Sequence, residues 1–154
     1  MGRHRSLIWG HAGFSLVELL VLLVVIGALF SLSLPAFMSY YKSAQVRAAA
    51  SVIATYLNQG RQLAIQQNQS VCVHITSTAL HYAQGSCAGK VWVSPGTDAA
   101  GNIPAPRGIA LTTTADPVFS NLGAAAPAAT VTVTHGSASL SVIVSASGRV
   151  IVGR

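Results

Sequence analysis

Residues 13–30 read GFSLVELLVLLVVIGALF, and the single glutamate at position 18 decides how the rest of the chain is read. A carboxylate is costly to bury unpaired in hydrocarbon, and acids within membrane segments are generally functional. From Phe14 to Leu34 Glu18 is the only charge, and Pro35 closes the uninterrupted stretch. As a helix this run extends about 31 Å, the thickness of a bilayer core, so it can span a membrane. Ahead of it lies a short basic leader, MGRHRSLIWGHAG, residues 1–13. Arg3 and Arg5 of that leader are nearly balanced by Lys42 and Arg47 beyond the run, so charge bias alone leaves the topology open.

Past Pro35 helix-forming residues resume at once, so the proline is expected to kink the helix and not to end it. Ala49, Ile53, Tyr56, Leu57, Gly60 and Ala64 then recur at spacings of three and four. Arg47, Gln59, Arg61, Gln62 and Gln66 take much of the remaining circumference. This predicts an amphipathic helix to about Gln67 with one face on a core. From Phe14 to Gln67 such a helix would run about 80 Å, far more than one domain of this size covers, so half of it acts outside the domain.

The remainder reads as strands. Ser70 to Thr76, SVCVHIT, alternates and is followed by LHYAQ and KVWVS, with STA as the turn. Pro95 to Gly108, PGTDAAGNIPAPRG, reads as a loop, and LTTTADPVFSNLGAAAPAA holds one short strand around Val118 and Phe119. ATVTVTH, SLSVIVS and RVIV, separated by GS and SG, form an antiparallel meander at the end of the chain. A long helix followed by strands gives an α+β fold, helix packed on an antiparallel sheet. No internal repeat is present.

Composition narrows the function. The chain has 154 residues, enough for one domain, and is 51% hydrophobic with 8% charged residues and a mean hydropathy of +0.55, which excludes a disordered tail. Nine Lys and Arg face three acids, and seven of the basic residues lie beyond Ser39. Such a body attracts phosphate or anionic lipid only as a weak signal. With three carboxylates in all, paired acid/base catalysis is nearly excluded. Cys72 and Cys87 are too few for a zinc site and lack a CxxC spacing. In an exported body they form a disulfide closing a loop of about 15 residues, and in a cytoplasmic one they are buried thiols.

The octet GFSLVELL after a basic leader, the apolar helix and the proline together resemble the processing signal of type IV prepilins and type II secretion pseudopilins. The resemblance implies that a membrane prepilin peptidase cuts after Gly13 on the cytoplasmic face and that the new N-terminal residue, Phe14, is N-methylated. It implies an inner-membrane anchor with the body in the periplasm, which favours the Cys72–Cys87 disulfide. Glu18 then becomes the assembly charge, pairing with the Phe14 ammonium of its own or a neighbouring subunit. Pro35 stands at the family's helix-kink position. The implied organisation is leader 1–13, transmembrane and filament-core helix 14–38, amphipathic helix 39–67 and periplasmic β domain 68–154. An ordinary signal peptide cut near Ser31–Ser33, or a plain anchor, leaves Glu18 unexplained.

LNQGRQLAIQQNQSVCV at Leu57–Val73 and SLSVIVSASGRVIVGR at Ser139–Arg154 resemble the GspH/FimT branch of minor pseudopilins and minor pilins. The branch implies a non-enzymatic structural subunit, without cofactor, that helps initiate or cap a pseudopilus or pilus. Its partners would be the peptidase, other minor and major pilins or pseudopilins, and the inner-membrane assembly platform. The alternative is a DNA-binding minor pilin for DNA uptake, with Arg149 at the Gly-Arg turn and Arg154 as candidate contacts. The residues between those two are apolar, so a dense basic tail is missing; Lys90 or Arg107 would have to join them through the fold. Other constellations read as structural. His74 and His81 flank a hairpin with no carboxylate near them in sequence, which makes a poor metal site. Asp98 in DAAGN lacks the further oxygens a calcium loop needs. Tyr82 and Trp92 read as core or sheet-face aromatics, and His135-Gly136-Ser137 has no acid to orient the histidine.

Overall fold

The computed structural model describes residues 15–93 and 96–153, without the side chains of 32–36. The leader with Gly13, Phe14 and Arg154 lie outside the described residues. The chain divides into two units, Met1–Met38 and Ser39–Arg154.

One helix, α1, runs Leu16–Gln66, with Pro35 inside its backbone span. In the first unit the large apolar side chains of α1 from Leu16 to Phe30 are all exposed. No helix among the described residues is long and apolar enough to cross a membrane. Within the Phe14–Leu34 run expected to span, side chains are described from Ser15 to Ser31.

In the second unit α1 turns a stripe inward. Val46, Ala49, Ala50, Ile53, Leu57 and Ala64 are buried, at the three- and four-residue spacing of one helical face. Tyr56 is partly buried at the margin of that stripe. The helix stops where Asn68 takes a positive φ of 49°, a conformation asparagine tolerates better than most residues.

Among the described residues nine strands follow: β1 Val71–Ile75, β2 Ala79–Gln84, β3 Asn102–Pro104, β4 Ala110–Thr113, β5 Val118–Phe119, β6 Ala125–Ala126, β7 Ala129–His135, β8 Ala138–Val144 and β9 Val150–Val152. They form two antiparallel sheets, a five-stranded one in the order β3-β2-β1-β5-β6 and a four-stranded one in the order β4-β7-β8-β9. The α+β class is as expected, with the strands shared between two sheets. Alternation sets the inward face: Ala129, Val131 and Val133 of β7 are buried between partly exposed threonines, and Val142 and Val144 of β8 join them. Residues of α1 and of both sheets belong to one core cluster.

Three sequence expectations change. The described part of KVWVS, Lys90 to Val93, forms no full strand; Val91 makes an isolated bridge to Ala83. Inside the Pro95–Gly108 stretch, read as loop, β3 pairs with β2 through Leu80↔Ile103, because Ile103 buries its side chain beside that strand. ALTT, Ala110–Thr113, forms β4, which pairs with β7 at the edge of the second sheet.

Candidate functional site

The first candidate is the N-terminal turn of α1. The Ser15 carbonyl accepts hydrogen bonds from the amides of Glu18 and Leu19, at 3.0 and 3.2 Å, which makes Ser15 the N-cap. Glu18 then sits in the first turn, where a carboxylate complements the positive end of the helix dipole. The Ser15-x-x-Glu18 spacing is that of a capping box. Glu18 is exposed, flanked by Val17 and Leu19, themselves 67% and 55% exposed.

The second candidate is the turn carrying Arg149. Ser145 closes it twice: its amide donates to the Arg149 carbonyl, and its hydroxyl oxygen accepts from the Arg149 amide at 3.2 Å. Gly148 has φ +75° and packs so tightly on the Gly123 carbonyl that a Cβ would fall 1.8 Å from its oxygen. Arg61 of α1 donates through Nε to the same carbonyl at 3.0 Å. Arg61 is therefore the cation whose side chain reaches this turn, where Arg149 is exposed. Lys90 and Arg107, the two expected candidates, have their neighbours elsewhere: Lys90 beside Gln84 and Trp92, Arg107 in a groove with Gln45, Ala48 and Val52. Nothing in the sequence spacing of Arg61 and Arg149 signals their approach.

The histidine pair needs a correction. His74 and His81 face each other across β1 and β2, ring centroids 4.8 Å apart, but a carboxylate does stand close. His74 Nδ1 donates to Asp116 Oδ2 at 2.6 Å, while Asp116 Oδ1 accepts from the Ile75 amide at 3.0 Å. Asp116 is remote in sequence, and the Thr114–Pro117 connection returns it to β1; both its oxygens are used to hold that connection. His81 has its pKa lowered, first by burial and then by the neighbouring His74, against a hydrogen bond with Asn102 that acts to raise it. Among the described residues no group of three or more His, Cys, Asp or Glu could hold a metal ion.

The other polar residues are fasteners. Asp98 Oδ1 accepts from the amides of Ala100 and Asn102 and Oδ2 from the Asn102 side chain, and these bonds hold its carboxyl below the usual range. Tyr82 is buried and donates its hydroxyl to the Tyr56 carbonyl at 2.9 Å, and burial pushes that phenol well up. His135 Nδ1 donates to the Gly108 carbonyl, tying the β7–β8 turn to the β3–β4 connection. Cys72 and Cys87 are joined in a disulfide.

Compared with known families, residues 49–148 match the one described as Type II transport protein GspH. The chain belongs to the GspH family. Its fold matches the type IV minor pilin FimU of Pseudomonas aeruginosa strain PAO1, with a TM-score of 0.56 at 14% identity over 75% of this chain and 92% of that one. It also matches the minor pseudopilin EpsH from the Type 2 Secretion System of Vibrio cholerae, with a TM-score of 0.54 at 13% identity over 70% and 94%. At such identities the likeness is one of fold. No curated protein matches by sequence. As a GspH-family member the chain is a structural pilin-type subunit and not an enzyme.

Proposed function

We propose that this GspH-family chain is an inner-membrane prepilin, cut after Gly13 and methylated at Phe14. Its mature form would help initiate or cap a pseudopilus or pilus together with other minor and major subunits. The observation that carries this reading is the apolar surface of α1 from Leu16 to Phe30, every large side chain exposed around one carboxylate. Surface of that extent needs lipid first and neighbouring subunits later. Processing would place an ammonium at Phe14 within one helical turn of Glu18, in a setting where an unpaired charge is expensive. The first-turn position of Glu18 supports this, since the helix dipole and the new ammonium would both attract its negative charge.

The test is Glu18→Ala. Cleavage after Gly13 persists, as the scissile residue is intact, while incorporation into sheared filaments drops about tenfold or more, the scale of an unpaired buried charge. Normal incorporation of the variant would remove Glu18 from the assembly mechanism.

The approach of Arg61 to the Arg149 turn favours keeping one second reading, DNA binding. Phosphate contacts by both cations would contribute a salt slope of about two. An Arg61→Gln/Arg149→Ala chain that binds duplex DNA with unchanged salt dependence would exclude it.

A further inference from the structure

Three cations of the body, the half-buried Lys42 and the exposed Arg47 and Arg107, lie around one stretch of α1. Where α1 enters the second unit it lies between two segments. On one flank Ser43, Val46 and Arg47 line a groove with Ala138, Ser139 and Leu140 of β8. On the other, Gln45, Ala48 and Val52 line a groove with Pro106, Arg107 and Ile109. Lys42 reaches the β7–β8 turn, its Nζ 3.7 Å from where a Cβ on Gly136 would stand. The His135–Gly108 hydrogen bond joins that turn to the segment carrying Arg107. Lys42, Arg47 and Arg107 thus surround one end of the body. Asp98 and Asp116, the acids of this unit, are both bonded elsewhere, so no described carboxylate offsets the three charges.

We propose that this basic end is a docking face for the phosphates of an anionic phospholipid leaflet, a role that rests on the membrane-anchored reading of the apolar run. Two observations favour lipid over other polyanions. Lys42 follows Leu34, the end of the apolar run, by only eight positions in sequence, so the chain tethers it close to the end of that run. Directly before it stand Tyr40 and Tyr41, 74% and 50% exposed, of the amphipathic type that settles at a membrane–water boundary. Each cation near an anionic leaflet favours the docked body about fivefold. The face holds the subunit against the bilayer before assembly and releases it when other contacts replace the phosphates.

The full chain is placed in nanodiscs of phosphatidylcholine alone or with one third phosphatidylglycerol, and backbone hydrogen exchange is followed over residues 39–48, 105–110 and 134–141. Expected is slower exchange of all three segments in the anionic discs, lost at high salt and in Lys42→Gln/Arg47→Gln/Arg107→Gln. A Lys90→Gln/Arg149→Gln chain keeps it. Equal exchange in both lipids, or protection that survives the triple substitution, overturns the docking face while leaving the anchor intact. A duplex oligonucleotide that protects these segments more strongly than the anionic discs assigns the face to nucleic acid and overturns the lipid proposal. A chain that fails to enter even the neutral discs strikes the anchored reading itself, and this inference with it.

Discussion

Two glycines separate two physical effects at the level of single residues. Gly60 lies in α1 where a Cβ would meet Val73 Cγ2 at 2.6 Å and the Tyr82 ring at 3.1 Å. Both neighbours are buried and packed, so neither gives way cheaply. Alanine gains about 1 kcal/mol of helix propensity over glycine, but overpacking costs about 1–3 kcal/mol. Gly60→Ala therefore comes out destabilising by about 1 kcal/mol by denaturant melt, the reverse of its sign on an exposed helix face. Gly148→Ala costs more, upward of about 2 kcal/mol, since the obstacle is the Gly123 backbone and φ is already positive. His81 supplies a pH dependence. Folding holds its pKa below the ordinary 6.5, so the unfolded chain takes up a proton that the folded one resists. Its contribution is fully present above about 6.5 and is lost as pH falls through the lowered folded value. His81→Gln should flatten the fall in Tm between pH 7.5 and 5, and an unchanged slope would contradict the assignment.

Among the elements, legibility followed the kind of signal each carried. The stripe Ala49, Ile53, Leu57, Gly60, Ala64 was readable because helical period needs no partner to be seen, and the inward threonine–valine alternation of β7 was readable for the same reason. What escaped was pairing at a distance. β3 lies within a Pro- and Gly-bearing stretch and exists because β2 offers an edge and Ile103 a side chain to bury. KVWVS alternates as a strand should, yet its described residues pair with β2 through one bridge, Val91 to Ala83, flanked by backbone bonds from Gln84 to Lys90 and from Trp92 to Tyr82. Asp116 stands 42 positions from His74, and Arg61 bonds a carbonyl 62 positions away, separations that no local pattern encodes. The disulfide belongs to this scale as well, tying Cys72 in β1 to Cys87 beyond β2 across 15 positions. A loop of that size is worth about 3 kcal/mol through the unfolded chain. Cys87→Ser, in a Cys72→Ser background to avoid a free thiol, should lower unfolding stability by about that much. A loss below about 0.5 kcal/mol in chemical denaturation would count against it.

At the scale of the whole molecule, the core decides how the second unit behaves. Among the described residues the five-stranded and four-stranded sheets share no ladder, and a body of two separate sheets could unfold in two steps. Their buried residues nonetheless form one cluster with the inward stripe of α1, from Ile53 and Leu57 of the helix through Val73 and Tyr82 of the first sheet to Val131 and Val142 of the second. Cooperative unfolding follows when no subset of elements keeps its apolar surface buried without the rest. Leu57→Ala, at a position with no exposed surface, should cost about 2–5 kcal/mol. Val142→Ala in β8 removes a smaller side chain and should cost less, on the order of 1–3 kcal/mol. Each substitution should shift a single transition, monitored by far-ultraviolet circular dichroism and by Trp92 fluorescence, to the same lower midpoint. If Val142→Ala moved only one of those signals, the second sheet would melt alone. A docking face built from α1, the Arg107 segment and the β7–β8 turn would then lack the rigid frame on which its three cations depend.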